Sequence, residues 1–149
     1  VGLFTNQLPA VGPLEANATG DPHAIARIYR TSVELHRSVG LDVTCQVTMD
    51  ADEVRQRCQI PLLRPVLDFA EVWFRETSVV TFHDPLAATT LFDDKICTFY
   101  RGAVDVELSA GRMLGKTYWT ADANGAHEVA LRVSPECFIS HYFSVLERS

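Results

Sequence analysis

The sequence predicts an α/β domain. Apolar residues at helical spacing alternate with β-branched runs through residues 21–92, and a cluster of short strands then precedes a closing helix. The 149 residues, 47% hydrophobic and 21% charged, suit one domain with a core large enough to fold without staples.

The elements follow in order. Residues 1–20 are rich in Gly, Pro and Asn and read as loop. Asp21-Pro22 opens a helix to about residue 37, with Asp as cap, Pro in the first turn, and Ile25, Ile28, Tyr29 and Val33 on its apolar face. "SVGLDVTCQV" (38–47) reads as a strand with Gly40 near its start. In 49–58, Asp50 followed by Glu53 forms a capping-box pattern for a short helix. Pro61 opens the strongest helix, with Leu63, Leu67, Ala70 and Phe74 on one face and Leu62, Val66, Phe69 and Trp73 on the next. So wide an apolar surface predicts burial on two sides or against a partner.

"SVVTF" is a buried strand ending at His83-Asp84-Pro85, where another helix begins. Residues 98–108 alternate Val104, Val106 and Leu108 with Asp105 and Glu107, as a half-exposed strand does. "RMLGKTYWT" and "HEVALRVS" are two further strands around the turn-prone "ADANG". Ser134-Pro135 caps the last helix.

A net charge of −6 argues against general attraction to nucleic acid or anionic lipid. No apolar run is long enough for a membrane helix and no leader pattern is read. Cys45, Cys58, Cys97 and Cys137 lie far apart, most among apolar neighbours, and read as reduced, buried thiols, so the expected location is cytoplasmic. Neither they nor the five histidines supply a zinc-ligand pair. The chain starts at Val1, not Met, which is read as a processed product or a piece of something longer.

Polar groups stand where the apolar pattern does not ask for them in two segments, "LEANATGDP" and "HDP". Both feed helices, and in open α/β sheets the strand ends and the loops beyond them form the ligand crevice. A plainer reading is open for each. Asp21 and Asp84 precede Pro and suit helix openings, His83 suits a hydrogen-bonded structural histidine, and Glu15 and Asn17 suit a solvated loop.

Taken together, the segments resemble the inosine-uridine nucleoside hydrolase family. That family carries Glu-Phe-Asn, then Asp-Pro three residues on; here these are Glu15-Ala16-Asn17 and Asp21-Pro22. A Gly-Leu-Asp-Val-Thr strand follows, here Gly40 to Thr44, then a long helix and His-Asp-Pro-Leu-Ala, here His83 to Ala87. The closing Val-x-Val-Glu, Gly-x-Thr and strand-helix segments look like 104–120 and 129–143. The resemblance runs through nearly all of the chain in the right order.

It implies a nucleoside-hydrolase-type, open, mostly parallel sheet flanked by helices, with a small β-rich C-terminal part. The implied reaction is calcium-assisted hydrolysis of the N-glycosidic bond of a ribonucleoside to ribose and free base. Such a reaction needs an oxocarbenium-like sugar, a water on the opposite face and an acid for the leaving group. By resemblance, His83 is the general acid, a role suited to imidazole. Glu15 and Asn17 hydrogen-bond the ribose hydroxyls, and Asp84 is a calcium ligand close to the ribose. The implied partners are a small-molecule nucleoside and further copies of the chain, as a homo-oligomer.

The departures are equally definite. The family has an N-terminal strand ending in an Asp-x-Asp-Pro-Gly-x-Asp-Asp cluster that supplies most calcium ligands. Nothing in this sequence matches it: "DADE" at 50–53 lacks the glycine turn, and Asp93-Asp94 is no better. The resemblance therefore implies that residues 1–149 are one partial domain, its C-terminal half, with the N-terminal strands missing. Ala16 also replaces the family's Phe. The alternative is a catalytically inactive relative that binds or assembles on the same scaffold.

Overall fold

The computed structural model describes residues 14–109 and 111–147. The loop expected over residues 1–13 lies outside them. The fold is α/β as expected, in two compact units, Val1–Thr44 with Cys97–Val133 and Cys45–Ile96 with Ser134–Ser149.

The first unit is built on a four-stranded sheet of β1 (His36–Val39), β4 (Cys97–Val106), β5 (Thr117–Ala121) and β6 (His127–Val133), in the order β1-β6-β4-β5. β1 runs parallel to β6, from His36 opposite His127 to Val39 opposite Ala130. The β-rich C-terminal part is antiparallel: β4 pairs with β5 on one side and with β6 on the other, with a register shift at Thr98/Phe99. The alternation read in 98–108 places Val104 against Val129 and Tyr29, with Ile25, Val106 and Leu131 around them.

Before β1 come two short helices, α1 (Ala16–Gly20) and α2 (Pro22–Tyr29). Residues 16–20 are thus a helical turn where loop was expected. Asp21 caps α2 as read, its carboxylate accepting from Ala24 N at 2.9 Å. The helix does not run to 37. It stops at Arg30, and Thr31, Val33 and Leu35 are exposed. From His36 the chain instead enters β1, because pairing with β6 recovers backbone hydrogen bonds that a solvent-facing helix end leaves to water.

The strand expected over 38–47 is likewise corrected. Gly40 follows β1, and its carbonyl accepts from Val43 N at 3.0 Å and Thr44 N at 2.9 Å to start α3 (Leu41–Thr44). The β-branched residues Val43 and Thr44 are buried there as a helical turn.

In the second unit, β2 (Thr48–Asp50) and β3 (Val79–Thr81) form an antiparallel pair. Around it lie α4 (Ala51–Arg57), a 3-10 turn (Pro61–Leu63), α5 (Arg64–Trp73), α6 (His83–Thr89) and α7 (Pro135–Leu146). Asp50 precedes α4 but its side chain makes no capping bond, so the expected capping box does not form. Ser134 does cap α7, accepting from Cys137 N at 3.4 Å. Of the two apolar faces read on the long helix, Leu63 and Leu67 are buried. Leu62, Val66, Phe69 and Trp73 are 50–80% exposed. Phe82, Phe138 and Tyr142 pack ring against ring, with centroids 5.4–5.6 Å apart.

No helix among the described residues is long and apolar enough to cross a membrane. The four cysteines are thiols; burial pushes Cys97 up to about 11 and raises Cys58.

Candidate functional site

The candidate residues fall in both units, a pair in each. In the first, Glu15 has an extended backbone and stands at the N-cap of α1. Its two oxygens are spent differently: Oε1 accepts from Asn17 N at 3.0 Å, and Oε2 from Ala18 N at 2.9 Å. The side chain folds back on the helix it opens because those amides have no partner within so short a helix. Glu15 is only 5% exposed, so this is a buried carboxylate fixed by two charge-assisted bonds. Each carboxylate oxygen retains a further acceptor position. Asn17, two residues on, is exposed and offers a donor and an acceptor to solvent. Thr19 ties the turn together, its hydroxyl lying 3.1 Å from the carbonyls of Glu15 and Ala16. Ala16, where the family pattern has Phe, is exposed.

The second pair sits at the join of β3 and α6. Phe82, the N-cap residue of α6, is anchored by its ring in the aromatic cluster and by Phe82 N donating to Val47 O at 2.9 Å. Leu86, four residues on, is completely buried. Between these anchors, His83 and Asp84 are exposed in the first turn of α6. The helix begins at His83, one residue before Asp84, so Asp84 is not its cap. The plain reading thus holds for Asp21 and fails for Asp84. A carboxylate in that first turn is still favoured by the helix dipole.

Calcium prefers roughly six to eight oxygen ligands. Among the described residues no group of three or more His, Cys, Asp or Glu is placed to hold a metal ion. Asp84 can offer one carboxylate, and the described residues do not by themselves make a calcium site.

Periodicity alone did not single out one polar cluster. His127 is buried in β6, where Val104 N donates to its Nδ1 at 3.3 Å and its Nε2 lies 2.8 Å from Tyr29 O. With Nδ1 accepting, Nε2 carries the proton. His36 stacks on Tyr29 with ring centroids 4.9 Å apart and meets His127 edge-on at 5.1 Å. Burial, reinforced by the neighbouring His127, lowers the pKa of His36. Burial likewise raises that of Tyr29, whose hydroxyl is 3.0 Å from Ser38 Oγ. The inward alternation of His127 along its strand was the available signal, and it reads only as burial.

The sequence matches the family model described as inosine-uridine preferring nucleoside hydrolase over residues 5–140. The chain belongs to this family. Its fold is similar to that of a purine-preferring ribonucleoside hydrolase from Gardnerella vaginalis, with a TM-score of 0.77 at 22% identity. That match covers 96% of this chain and 49% of the other. A plant nucleoside hydrolase gives 0.74 at 23% identity, covering 87% of this chain and 46% of the other. An inosine-guanosine nucleoside hydrolase gives 0.73 at 18% identity, covering 90% and 46%. The chain thus spans about half the length of these solved structures. Comparison with curated protein sequences finds no match.

Proposed function

We propose that this nucleoside hydrolase chain serves the cleavage of ribonucleosides to ribose and free base. The observation that carries the reading is the buried, doubly bonded Glu15 carboxylate beside an exposed Asn17, within a family match that runs on through His83-Asp84. In this reading Glu15 accepts from ribose hydroxyls and Asn17 donates to and accepts from them. Glu15 reaches substrate already desolvated and oriented, so little further ordering is needed when ribose arrives.

The chemistry asks for one proton at the leaving group. Water adds to the anomeric carbon and releases one proton to solvent, the bond to the base nitrogen breaks, and the base departs with the bonding pair. His83 donates the proton that neutralises it, an imidazole at an exposed helix start being able to reload from solvent. Asp84 would lie close to the ribose and would offer one carboxylate to a calcium ion, which would supply electrostatic stabilisation and hold the water. Assembly as a homo-oligomer and a cytoplasmic location accompany the proposal. The alternative is a catalytically inactive binding or assembly module on the same scaffold, motivated by the aspartate cluster that this sequence does not match.

The test is release of reducing sugar from inosine and uridine in the presence of calcium, with wild type and His83→Ala compared. Ribose release by wild type, with purine release slowed roughly 100-fold or more in the variant, supports the assignment. Equal turnover removes His83 from the mechanism. Saturable ribose binding with no release by wild type selects the binding module.

A further inference from the structure

Gly115 lies in the turn between β4 and β5 and is buried. Among the described residues it alone has a left-handed backbone, with φ +86°. Its amide donates to Glu107 O at 2.8 Å, and Lys116 N donates to Met113 O at 2.9 Å, so the turn is held on its own account. The side it turns outward meets α1. A Cβ on Gly115 would stand 2.8 Å from the carbonyl oxygen of Ala18, 2.9 Å from Thr19 Cα and 3.1 Å from the Ala18 carbonyl carbon. All three are main-chain atoms, which cannot swing aside as a side chain would. Ala18 is also the residue whose amide the Glu15 carboxylate accepts from. The amide of Ala18 is thus held by Glu15, and its carbonyl lies against Gly115.

We infer that Gly115 is a positioning residue for the Glu15–Asn17 segment: close approach of its backbone to Ala18 and Thr19 fixes the turn that aims the buried carboxylate and the exposed amide. Two separate demands make the position glycine. The left-handed φ disfavours a Cβ, and the contact with α1 leaves no room for one. The consequence for ribose binding rests on the proposed function; the positioning itself does not.

The two demands can be separated. Gly115→Asn tolerates the left-handed φ but carries the Cβ, so it tests the contact, whereas Gly115→Ala violates both. Gly125→Ala is the control, since its Cβ would run into the Gly102 backbone and strain the same unit at the β5–β6 turn. In the 15N-labelled chain, both Gly115 variants should shift the Asn17 and Ala18 amide resonances and speed their hydrogen exchange roughly ten-fold or more, while Gly125→Ala leaves them in place. Unmoved amides in Gly115→Asn, or an equal shift in Gly125→Ala, overturn the inference.

If the Gly115 variants do not fold, native-state exchange of wild type in rising urea decides. A shared opening for the Gly115 and Ala18 amides supports the clamp, and independent openings overturn it. Titration with D-ribose then separates this inference from the functional reading. Wild type that binds no ribose removes the ribose role of Glu15 and Asn17, and the amide data still decide the positioning. Wild type that binds, with an affinity unchanged in Gly115→Asn despite displaced amides, overturns the positioning role in binding.

Discussion

Replacing Glu15 by glutamine keeps the shape of the side chain and removes one acceptor. In the native turn Oε1 and Oε2 each accept a backbone amide, from Asn17 and Ala18. Glutamine has one oxygen, so one amide must face an NH2 group that cannot accept. Ala18 is fully buried and Asn17 exposed. The oxygen therefore stays with Ala18, and the amide of Asn17 turns to water. A hydrogen bond to a charged group contributes about 1.5–3 kcal/mol, and water recovers part of it at Asn17, so Glu15→Gln should cost about 1.5 kcal/mol. Glu15→Ala loses both bonds and strands the buried Ala18 amide, which places it nearer ~3 kcal/mol, above the usual ~1 kcal/mol for a helix cap. Urea denaturation measures both, with exchange at Ala18 as the local reporter. The expected order is wild type, then Gln, then Ala, with Ala18 still protected in Gln and exposed in Ala. Equal costs for the two variants, or a Gln cost below ~0.5 kcal/mol, would refute the view that each oxygen of this carboxylate carries its own bond.

Other predictions concern the frame around the site. The folded-state pKa of His36 is lowered, so the unfolded chain binds the proton more readily. This contribution to stability is present above the ordinary imidazole value of about 6.5 and is lost as pH falls from there through the folded pKa. His36→Phe keeps a ring against Tyr29 and should flatten the pH dependence of the urea midpoint between about pH 7 and 5; an unaltered slope would assign that dependence to other groups. Leu86 is completely buried beneath the His83–Asp84 turn, and Leu86→Ala should cost about 2–5 kcal/mol in urea denaturation. A cost under ~1 kcal/mol would mean that this turn is not anchored from below.

The parts of the fold legible in the sequence were those set by neighbours a few residues apart. Asp21-Pro22 and Ser134-Pro135 gave true helix starts because a cap needs only an oxygen and an amide two or three residues on. The alternation of 98–108 and the turn at "ADANG" gave β4, β6 and the later part of "RMLGKTYWT" as β5 for the same reason, whereas residues 112–115 of that stretch form a turn. In two places where the sequence misled, distant chain decided. The helical spacing read from Asp21 to about residue 37 stops at Arg30, and β6, some ninety residues later, draws His36 and Arg37 into a parallel strand. Asp84 fits a cap, yet Phe82 holds that place because its ring belongs to the cluster with Phe138 and Tyr142.

The sequence by itself determined the α/β class, the order of the motifs and the identity of the four candidate residues, since the types of side chain and their spacing are written in it. Tertiary structure alone decided their condition. It buried Glu15 and left Asn17 open, kept Asp84 out of the cap, and brought Gly115 against Ala18 from almost a hundred residues away. The physical reason is the same throughout: burial, close backbone approach and a shared hydrogen bond depend on which distant segments meet, and local spacing carries no record of that meeting.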